Sequence, residues 1–320
     1  MPANPLVSVV IPVKDRNVDV QRAISSALRQ TVNDLEVIVV DDGSAEPLEA
    51  AIASSISDAR VRFHRNESAT GPSAARNVGT GLARGAFVAY LDSDDEWHPA
   101  KLDRQLRALQ RRDRDAGLSL CGYEVVSGSR RRARVPQEVR AGDVVDLLDT
   151  RHEPTVTSCF VLPTALAQCY SFDGALAAFE DLDVAARISI SHDVVTTRSI
   201  LVRKYVSGER QFSGPRVIDA RRALLAKHAT LLSEHPAVLA RNQLTMAAEL
   251  VRAGRTDEAA ALLASIDAGH SSPWMRIARR SLPGTARGSN KQLDLLRLLE
   301  RFSVRGALWR ARTGWLRWRA

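Results

Sequence analysis

Asp92, Asp94, Asp95 and Glu96 place four acidic residues within five positions, directly after the apolar run at residues 86–91. That run contains Phe87, Val88 and Tyr90, is too short for a helix and is bounded by Gly85, so it reads as a buried strand. Like charges crowded at the end of a strand repel one another and raise pKa values unless a cation sits among them. Hard oxygen ligands of this kind suit Mg2+ or Mn2+, which take one or two carboxylates and leave other positions to phosphate oxygens and water. The plainer alternative is a solvated acidic turn before the helix expected near Pro99, because acids are favoured at helix N-termini. A second pair, Asp41-Asp42, ends another apolar run at residues 35–40 and leads into Gly43-Ser44. Two acidic pairs at equivalent strand ends favour a site over two solvated turns.

The elements that must position these groups alternate. Residues 6–11 predict a first strand ended by Pro12, and residues 18–30 a helix with its stripe at Val20, Ala23, Ile24, Ala27 and Leu28, capped by Asn17 or Asp19. Residues 35–40 and 61–64 predict strands, and Gly71-Pro72-Ser73 opens a helix running to Leu82. A helix from Pro99 to about Asp115, a strand over 118–126, a short helix over 142–148, and strands over 155–162 and 194–205 follow. Strand–helix alternation argues an α/β fold with a mainly parallel sheet and helices on both faces, and such sheets bind ligands beyond the carboxyl ends of their strands. The run at residues 129–135, SRRRARV, reads as a solvated loop, with contact to an anionic substrate or lipid as the alternative. Residues 208–213 read as a polar loop.

From Arg216 onward helical periodicity takes over, and residues 242–266 read as helix, turn at 253–256, helix, like one tetratricopeptide-type hairpin. One hairpin is fewer than a free-standing solenoid needs, so it must lean on another surface. Three regions are expected: 1–214 catalytic, 215–284 helical, and 285–320 a basic amphipathic tail.

The chain has 320 residues, 45% hydrophobic and 26% charged, with a net charge of +8. Between Arg287 and Arg319 nine Lys or Arg face only Asp294 and Glu300, so nearly all of the surplus lies in the tail. There Leu308, Trp309, Trp315, Leu316 and Trp318 interleave with arginines, a pattern suited to an anionic membrane surface or to packing on the rest of the chain. The localised charge and the lack of a nucleic-acid motif argue against a nucleic-acid partner. Cys121, Cys159 and Cys169 have no metal-ligand spacing and suggest buried thiols in a reducing cytoplasm. The N-terminal segment reads as a strand rather than a signal peptide, and no apolar stretch nears the ~20 residues of a membrane span. The expected location is cytoplasmic, with peripheral contact at the inner face of the plasma membrane through the tail.

Four pieces in order carry a resemblance: VSVVIPVKDR at 7–16, SSALRQTVNDLEVIVVDDGS at 25–44, GPSAARNVGTGLARGAFVAYLDSDDEWHPAKL at 71–102, and FEDLDVAARI at 179–188. Together the chain resembles an inverting family-2 glycosyltransferase with the GT-A nucleotide-sugar-binding fold, over about residues 7–213. The resemblance implies metal-dependent transfer of a sugar from a nucleotide donor, UDP-linked, to a hydroxyl of a glycan, lipid-linked or glycoprotein acceptor. It makes Asp94 the direct ligand of Mg2+ or Mn2+, with Asp92 assisting directly or through water and ribose. Asp42 is expected to accept the base N3–H, Asp41 to orient the turn or ribose, and Arg76, beside Asn77, to pair with phosphate or base. Pro12, Asp15 and Ser93 belong to the same donor-binding motifs. Asp181 is expected to be the base that takes the acceptor proton, with Glu180 as the alternative or as an acceptor ligand, and Asp183 as a first-turn helix residue. Trp97 is expected as an apolar wall for a sugar or else as core, and His152 on a loop bordering the acceptor. One departure stands out: Val13-Lys14-Asp15 replaces the family's Thr-Tyr-Asn-like sequence, so a base-stacking aromatic is missing at position 14. Competing readings are a sugar-phosphate nucleotidyltransferase, disfavoured by the missing Gly-rich phosphate loop, and a non-catalytic assembly protein using the C-terminal helices.

Overall fold

The computed structural model describes residues 4–111, 115–150, 152, 155–206 and 215–266. The chain opens β1 (Val7–Val13), α1 (Asn17–Leu28), β2 (Leu35–Asp41), α2 (Leu48–Ile52), β3 (Val61–Arg65), α3 (Pro72–Leu82), β4 (Phe87–Tyr90). It continues β5 (Asp95–Trp97), α4 (Lys101–Leu109), β6 (Ala116–Ser127), β7 (Arg130–Arg134), α5 (Val144–Leu148), β8 (Val161–Pro163), α6 (Thr164–Cys169), α7 (Glu180–Ser189), β9 (Asp193–Tyr205). Four helices end the described chain: α8 (Pro215–Lys227), α9 (Ala229–Glu234), α10 (Pro236–Arg252) and α11 (Thr256–Ser265).

The strands form one sheet in the order β3-β2-β1-β4-β8-β6-β9-β5, with β7 on β6. The first four are parallel, as their continuous apolar runs predict, since both faces are covered. Every residue of β1 and β2 is buried. Past β4 the sheet is mixed: β8 runs antiparallel to β4 and β6, β5 antiparallel to β9, and β6 parallel to β9. Glu36, the one acid inside β2, takes Ser8, Arg62 and Arg84 as partners. Burial alone would raise its pKa, and these partners overcome it and hold it at about 2. Gly71, at φ +93°, turns the chain into α3, and Gly79 lets that helix lie against Val10, whose methyl a Cβ would strike.

Several boundaries differ from expectation. Pro12 does not end β1, which runs to Val13 because Pro12 pairs in register with Val40. Neither Asn17 nor Asp19 caps α1; Arg16 stands at its N-cap without a side-chain capping bond to the helix. α4 stops at Leu109, and β5 intervenes between the acidic cluster and this helix. The strand expected over 155–162 shrinks to β8, preceded by a 3-10 turn at Thr157–Cys159. The arginine run is not a loop. Gly128, at φ +55°, folds it back as β7 on β6, with Arg130, Arg131 and Arg132 exposed on an edge strand. Cys121 and Cys159 are buried, whereas Cys169 is exposed.

The expected helical hairpin is α10–α11, which shares an apolar cluster with Ile218 of α8. It leans on the sheet domain's helices: Leu224, Leu232 and Val238 pack with Val144, Leu148 and Ala186 of α5 and α7. Arg241 makes a two-pronged bond to the buried Asp149, at 2.8 and 2.6 Å, and Asn242 donates to the carbonyl of Leu148. The polar loop expected at 208–213 and the basic tail lie outside the described residues.

Candidate active site

All four parallel strands point their carboxyl ends to one edge, and the loops there hold the acidic residues. At the tip of β1, Asp15 adopts φ +51°. Its N–H donates to Ser44 Oγ at 3.0 Å and its Oδ1 accepts the N–H of Ala45 at 2.8 Å, stitching the first tip to the second. The next residue, Arg16, reaches the other way and pairs with Asp94 Oδ2 at 2.5 Å. Adjacent residues of one loop therefore connect the two acidic tips.

Asp41 and Asp42 are both buried, and each accepts several hydrogen bonds. Asp41 accepts the N–H groups of Ser44 and Leu48 and pairs with Arg65, which fixes the turn and the start of α2. Asp42 Oδ1 accepts from Asn66 Nδ2, Thr70 N–H and Thr70 Oγ1, and its Oδ2 from Gly71 N–H. Burial would raise both pKa values, but these bonds lower them below the usual carboxylate range. Asp42 thus holds the loop that opens α3.

One turn into α3, Arg76 is 4% exposed. Its Nη2 meets Asp92 Oδ1 at 2.6 Å and its Nη1 meets Glu180 Oε1 at 3.0 Å. It also lies 5.3 Å from the Phe172 ring centre. Asn77 exchanges two 2.9 Å bonds with the backbone of Phe172, so its amide positions that aromatic. Arg76 therefore joins the tip of β4 to the start of α7, whose Glu180 lies 104 positions beyond the arginine in sequence.

Ser93 is buried between Asp92 and Asp94. Ser158, in the turn before β8, receives the Asp92 N–H at 3.0 Å and donates to Asp95 Oδ2 at 2.6 Å. Lys204 of β9 places its ammonium 3.5 Å from Asp92 Oδ2 and 3.7 Å from Asp95 Oδ2. Burial would raise the pKa of Asp92, yet Arg76 and Lys204 hold it at about 2. Asp95 is fully buried, and burial, opposed by Lys204, pushes it up to about 7. Its Oδ1 has no hydrogen-bond partner among the described residues. Oxygens of Asp92, Asp94 and Asp95 lie within 4.8 Å of one another. Three hard ligands and one orphaned buried oxygen fit a divalent cation.

Glu180 and Asp181 occupy the first turn of α7, behind Phe179 at φ +67°. Asp181 Oδ1 accepts the N–H of Leu182 at 2.7 Å. Burial and the Glu180 carboxylate beside it push its pKa up to about 7, against the pull of Arg76. Asp183 turns away and is fully buried against Arg187, Lys227 and His228, so it secures α8 to α7.

Two expected acceptor residues fare differently. Trp97 is 1% exposed, donates Nε1–H to the Ser158 carbonyl and lies under Lys101 Nζ at 3.9 Å. It is core, and the expectation of a sugar-facing wall there is corrected: a ring sealed on both faces meets no substrate. His152 bonds by its N–H to the Asp149 carbonyl, while Arg151, Glu153 and Pro154 lie outside the described residues. Pro12 is buried in β1, behind the loop that carries Asp15 and Arg16. Sequence reasoning missed Lys204, Ser158 and the role of Arg16. Lys204 sits next to Arg203 in an otherwise β-branched strand, and only the pairing Asp95↔Lys204 gives it meaning.

Residues 8–164 match the family model described as glycosyl transferase family 2. Among curated proteins, the chain is 32% identical over 124 residues to the UDP-Glc:alpha-D-GlcNAc-diphosphoundecaprenol beta-1,3-glucosyltransferase WfgD of Escherichia coli, covering 39% of this chain and 48% of that one. The chain spans less than half the length of the curated relatives it matches. Among solved structures, S. aureus TarS 1-349 in complex with UDP-GlcNAc aligns at TM-score 0.60 and 16% identity, covering 95% of this chain and 93% of that one. The mannosyltransferase PcManGT from Pyrobaculum calidifontis, in complex with GDP-Man and Mn2+, aligns at TM-score 0.57 and 17% identity, over 95% and 87% of the two chains. At such identities the likeness is one of fold.

Proposed function

Through residues 8–164 the chain belongs to glycosyl transferase family 2, and from that premise we propose that it transfers a sugar, with inversion, from a nucleoside-diphosphate donor to a glycan hydroxyl. The observation that carries this reading is Arg76, which ties the acidic tip of β4 to the Glu180–Asp181 turn and stands on the helix that Asp42 secures. In this reading a donor lies across that edge, with its base toward Asp42, its diphosphate toward the carboxylate cluster at Asp92, Asp94 and Asp95, and its sugar toward Asp181.

Among the described residues Asp42 Oδ2 accepts the Gly71 N–H alone, which leaves it capacity for the N3–H of a uracil base. Asp15 and Asp41 hold the loops around that base. Asp94, with Asp92 and Asp95 beside it, would hold Mg2+ or Mn2+. A bound divalent ion supplies Lewis-acid stabilisation of the departing diphosphate. Arg76 keeps Asp92 ionised and aimed at the cluster. Asp181 takes the proton of the acceptor hydroxyl at Oδ2, since Oδ1 is held by the Leu182 N–H. A pKa near 7 suits that task, because a base works best when its pKa lies near the operating pH. Glu180 holds Arg76 and raises the basicity of Asp181.

The UDP preference draws on Asp42, and on WfgD and TarS, whose names carry UDP-Glc and UDP-GlcNAc. WfgD also suggests the acceptor class, a lipid-linked saccharide in polysaccharide synthesis. Within this reading, residues 1–214 form the catalytic unit, helices α8–α11 a second region, and the expected tail over 285–320, which lies outside the described residues, would touch an anionic membrane surface from the cytoplasm. Among the described residues no helix is long and apolar enough to cross a membrane. The experiment is UDP binding with and without Mn2+, in the wild type and in Asp94→Ala. Asp94 is partly exposed, so the variant should keep its melting temperature. It should lose at least tenfold in Mn2+-dependent UDP affinity, about 1.4 kcal/mol. Equal affinities with a retained fold would remove the metal assignment.

A further inference from the structure

The acidic cluster already contains a cation that belongs to the chain. Lys204 stands opposite Asp95 in the β5–β9 pair, its side chain is 13% exposed, and its ammonium lies between Asp92 Oδ2 and Asp95 Oδ2. The other two cations of the cluster make short bonds: Arg76 to Asp92 at 2.6 Å and Arg16 to Asp94 at 2.5 Å. Lys204 does not. At 3.5 and 3.7 Å it neutralises two carboxylates without the close N–H···O contact that would lock it there. It is a compact charge on a flexible four-carbon stem, so it can leave.

Asp92 and Asp95 are also two of the three carboxylates whose oxygens converge for a divalent ion. Such an ion would sit roughly 2.0–2.2 Å from its oxygen ligands. The same carboxylates cannot serve an ammonium and a divalent ion together without severe like-charge repulsion in a site from which water is largely excluded. Binding the ion therefore requires Lys204 to give up its place, and an ammonium expelled from a buried site needs another anion.

We propose that Lys204 is a positioning residue that competes with the divalent cation for Asp92 and Asp95 and transfers its charge to the donor's diphosphate, so that metal and nucleotide bind as a coupled pair. The inference rests on the metal-dependent reading above. Without nucleotide the lysine keeps the cluster neutral and the metal weakly held. When a diphosphate arrives, the ammonium gains a partner and the carboxylates become free for the metal. By linkage the same coupling makes nucleotide affinity metal-dependent by an equal factor.

The test is the dissociation constant of Mn2+ for the full chain, by calorimetry or electron paramagnetic resonance, with and without UDP and corrected for Mn2+–UDP in solution. Wild type should bind Mn2+ at least tenfold more tightly with UDP present. Lys204→Met should bind Mn2+ at least tenfold more tightly than wild type when UDP is absent, and UDP should then improve it little. Lys204→Arg should move the other way, because a guanidinium makes short two-pronged bonds to carboxylates and is harder to displace. A merely structural lysine would not give shifts of opposite sign. Should Lys204→Met fail to fold, weaker Mn2+ binding by Lys204→Arg supports the proposal, and an unchanged constant overturns it. If wild type binds Mn2+ but the folded variants match it, this inference fails and the metal-dependent reading stands. If wild type binds no Mn2+ in any condition, both fall.

Discussion

Replacing Arg76 with Met tests the joint on which the site depends. The guanidinium is buried, bonded at 2.6 Å to Asp92 and at 3.0 Å to Glu180, and Asp181 lies within its field. Methionine fills much of the same space but removes the guanidinium that spans β4 and α7. Breaking a buried ion pair by deleting one partner costs about 3–5 kcal/mol, because the surviving charge stays desolvated. Lys204 still faces Asp92, so the lower end, about 3 kcal/mol, is expected near pH 7.5. The sign with pH follows from Asp92. Arg76 and Lys204 together depress its folded pKa to about 2, so in wild type its stabilising contribution holds above the unfolded carboxylate value and disappears only as pH falls through about 2. In Arg76→Met burial wins and that pKa rises, so below it the variant's native state takes up a proton that the wild type refuses. The deficit should then shrink by up to about 1.4 kcal/mol per pH unit. Urea unfolding at pH 7.5 and pH 4.5 reads both quantities. Arg76→Lys should recover part of the stability but not the bridge, since one ammonium cannot reproduce a two-pronged fork. A loss under about 1 kcal/mol, or the same loss at both pH values, would refute the account.

Two further outcomes can be measured with ordinary assays. Asp181, raised to about 7 by burial and Glu180, must be ionised to act as base, so kcat/KM should rise with pH through an apparent pKa near 7. Glu180→Gln should move that limb to lower pH, and Asp181→Asn should lose about 10²–10⁴ in rate while retaining donor binding; wild-type rates in Asp181→Asn would reject the base. Lys101 is fully buried, with no hydrogen-bond acceptor for Nζ among the described residues, and burial lowers its pKa from 10.5 to about 8. At about 1.4 kcal/mol per pH unit this costs about 3 kcal/mol below pH 8, partly offset by about 2 kcal/mol from the Trp97 ring. Lys101→Met should therefore stabilise the protein by about 1–3 kcal/mol at pH 7, with the gain fading as pH rises from 8 to 10.5. No gain at pH 7, or one that persists unchanged at pH 10.5, would show that the lysine has a partner.

The parts of this fold that could be read from sequence are those whose causes are local. Apolar runs broken by Ser8 and Glu36 marked β1 and β2, and Gly71-Pro72 marked the start of α3, which ends at Leu82 as its pattern requires. The hairpin of α10 and α11 followed from periodicity and the Ala253–Gly254 turn. Composition misled where geometry intervened: four arginines in five positions suggest a solvated loop, yet Gly128 returns them as an edge strand whose charges still face water. Trp97 could be read from sequence either as a sugar-facing wall or as core, and the alternation of a short strand sends its ring into the core. Lys204 was illegible for a deeper reason. Its partner Asp95 lies in another strand more than a hundred positions earlier, and a register between such strands is decided by the whole sheet.

The two acidic tips differ in a way that motif matching alone does not reveal. Asp42 is held by four neutral donors, all of them on the loop between β3 and α3, and needs no cation to remain ionised. It is a rigid acceptor of fixed direction, suited to reading the edge of a base. Asp92, Asp94 and Asp95 draw their compensation from Arg16, Arg76 and Lys204, which stand on a loop, a helix and a strand. Of these charges Lys204 is the exchangeable one, because its 3.5 and 3.7 Å contacts can be given up without unmaking the short bonds of Arg16 and Arg76. The preformed pole therefore suits the half of a donor that stays constant, and the exchangeable pole suits the diphosphate, where charge grows as the glycosidic bond breaks. It follows that salt should weaken the second pole far more than the first. Uridine affinity should fall little between low and high ionic strength, while the extra affinity of UDP over uridine should fall steeply. Equal salt dependence of the two ligands would mean that the acidic tips share one kind of chemistry, and the division of labour argued from their partners would be wrong.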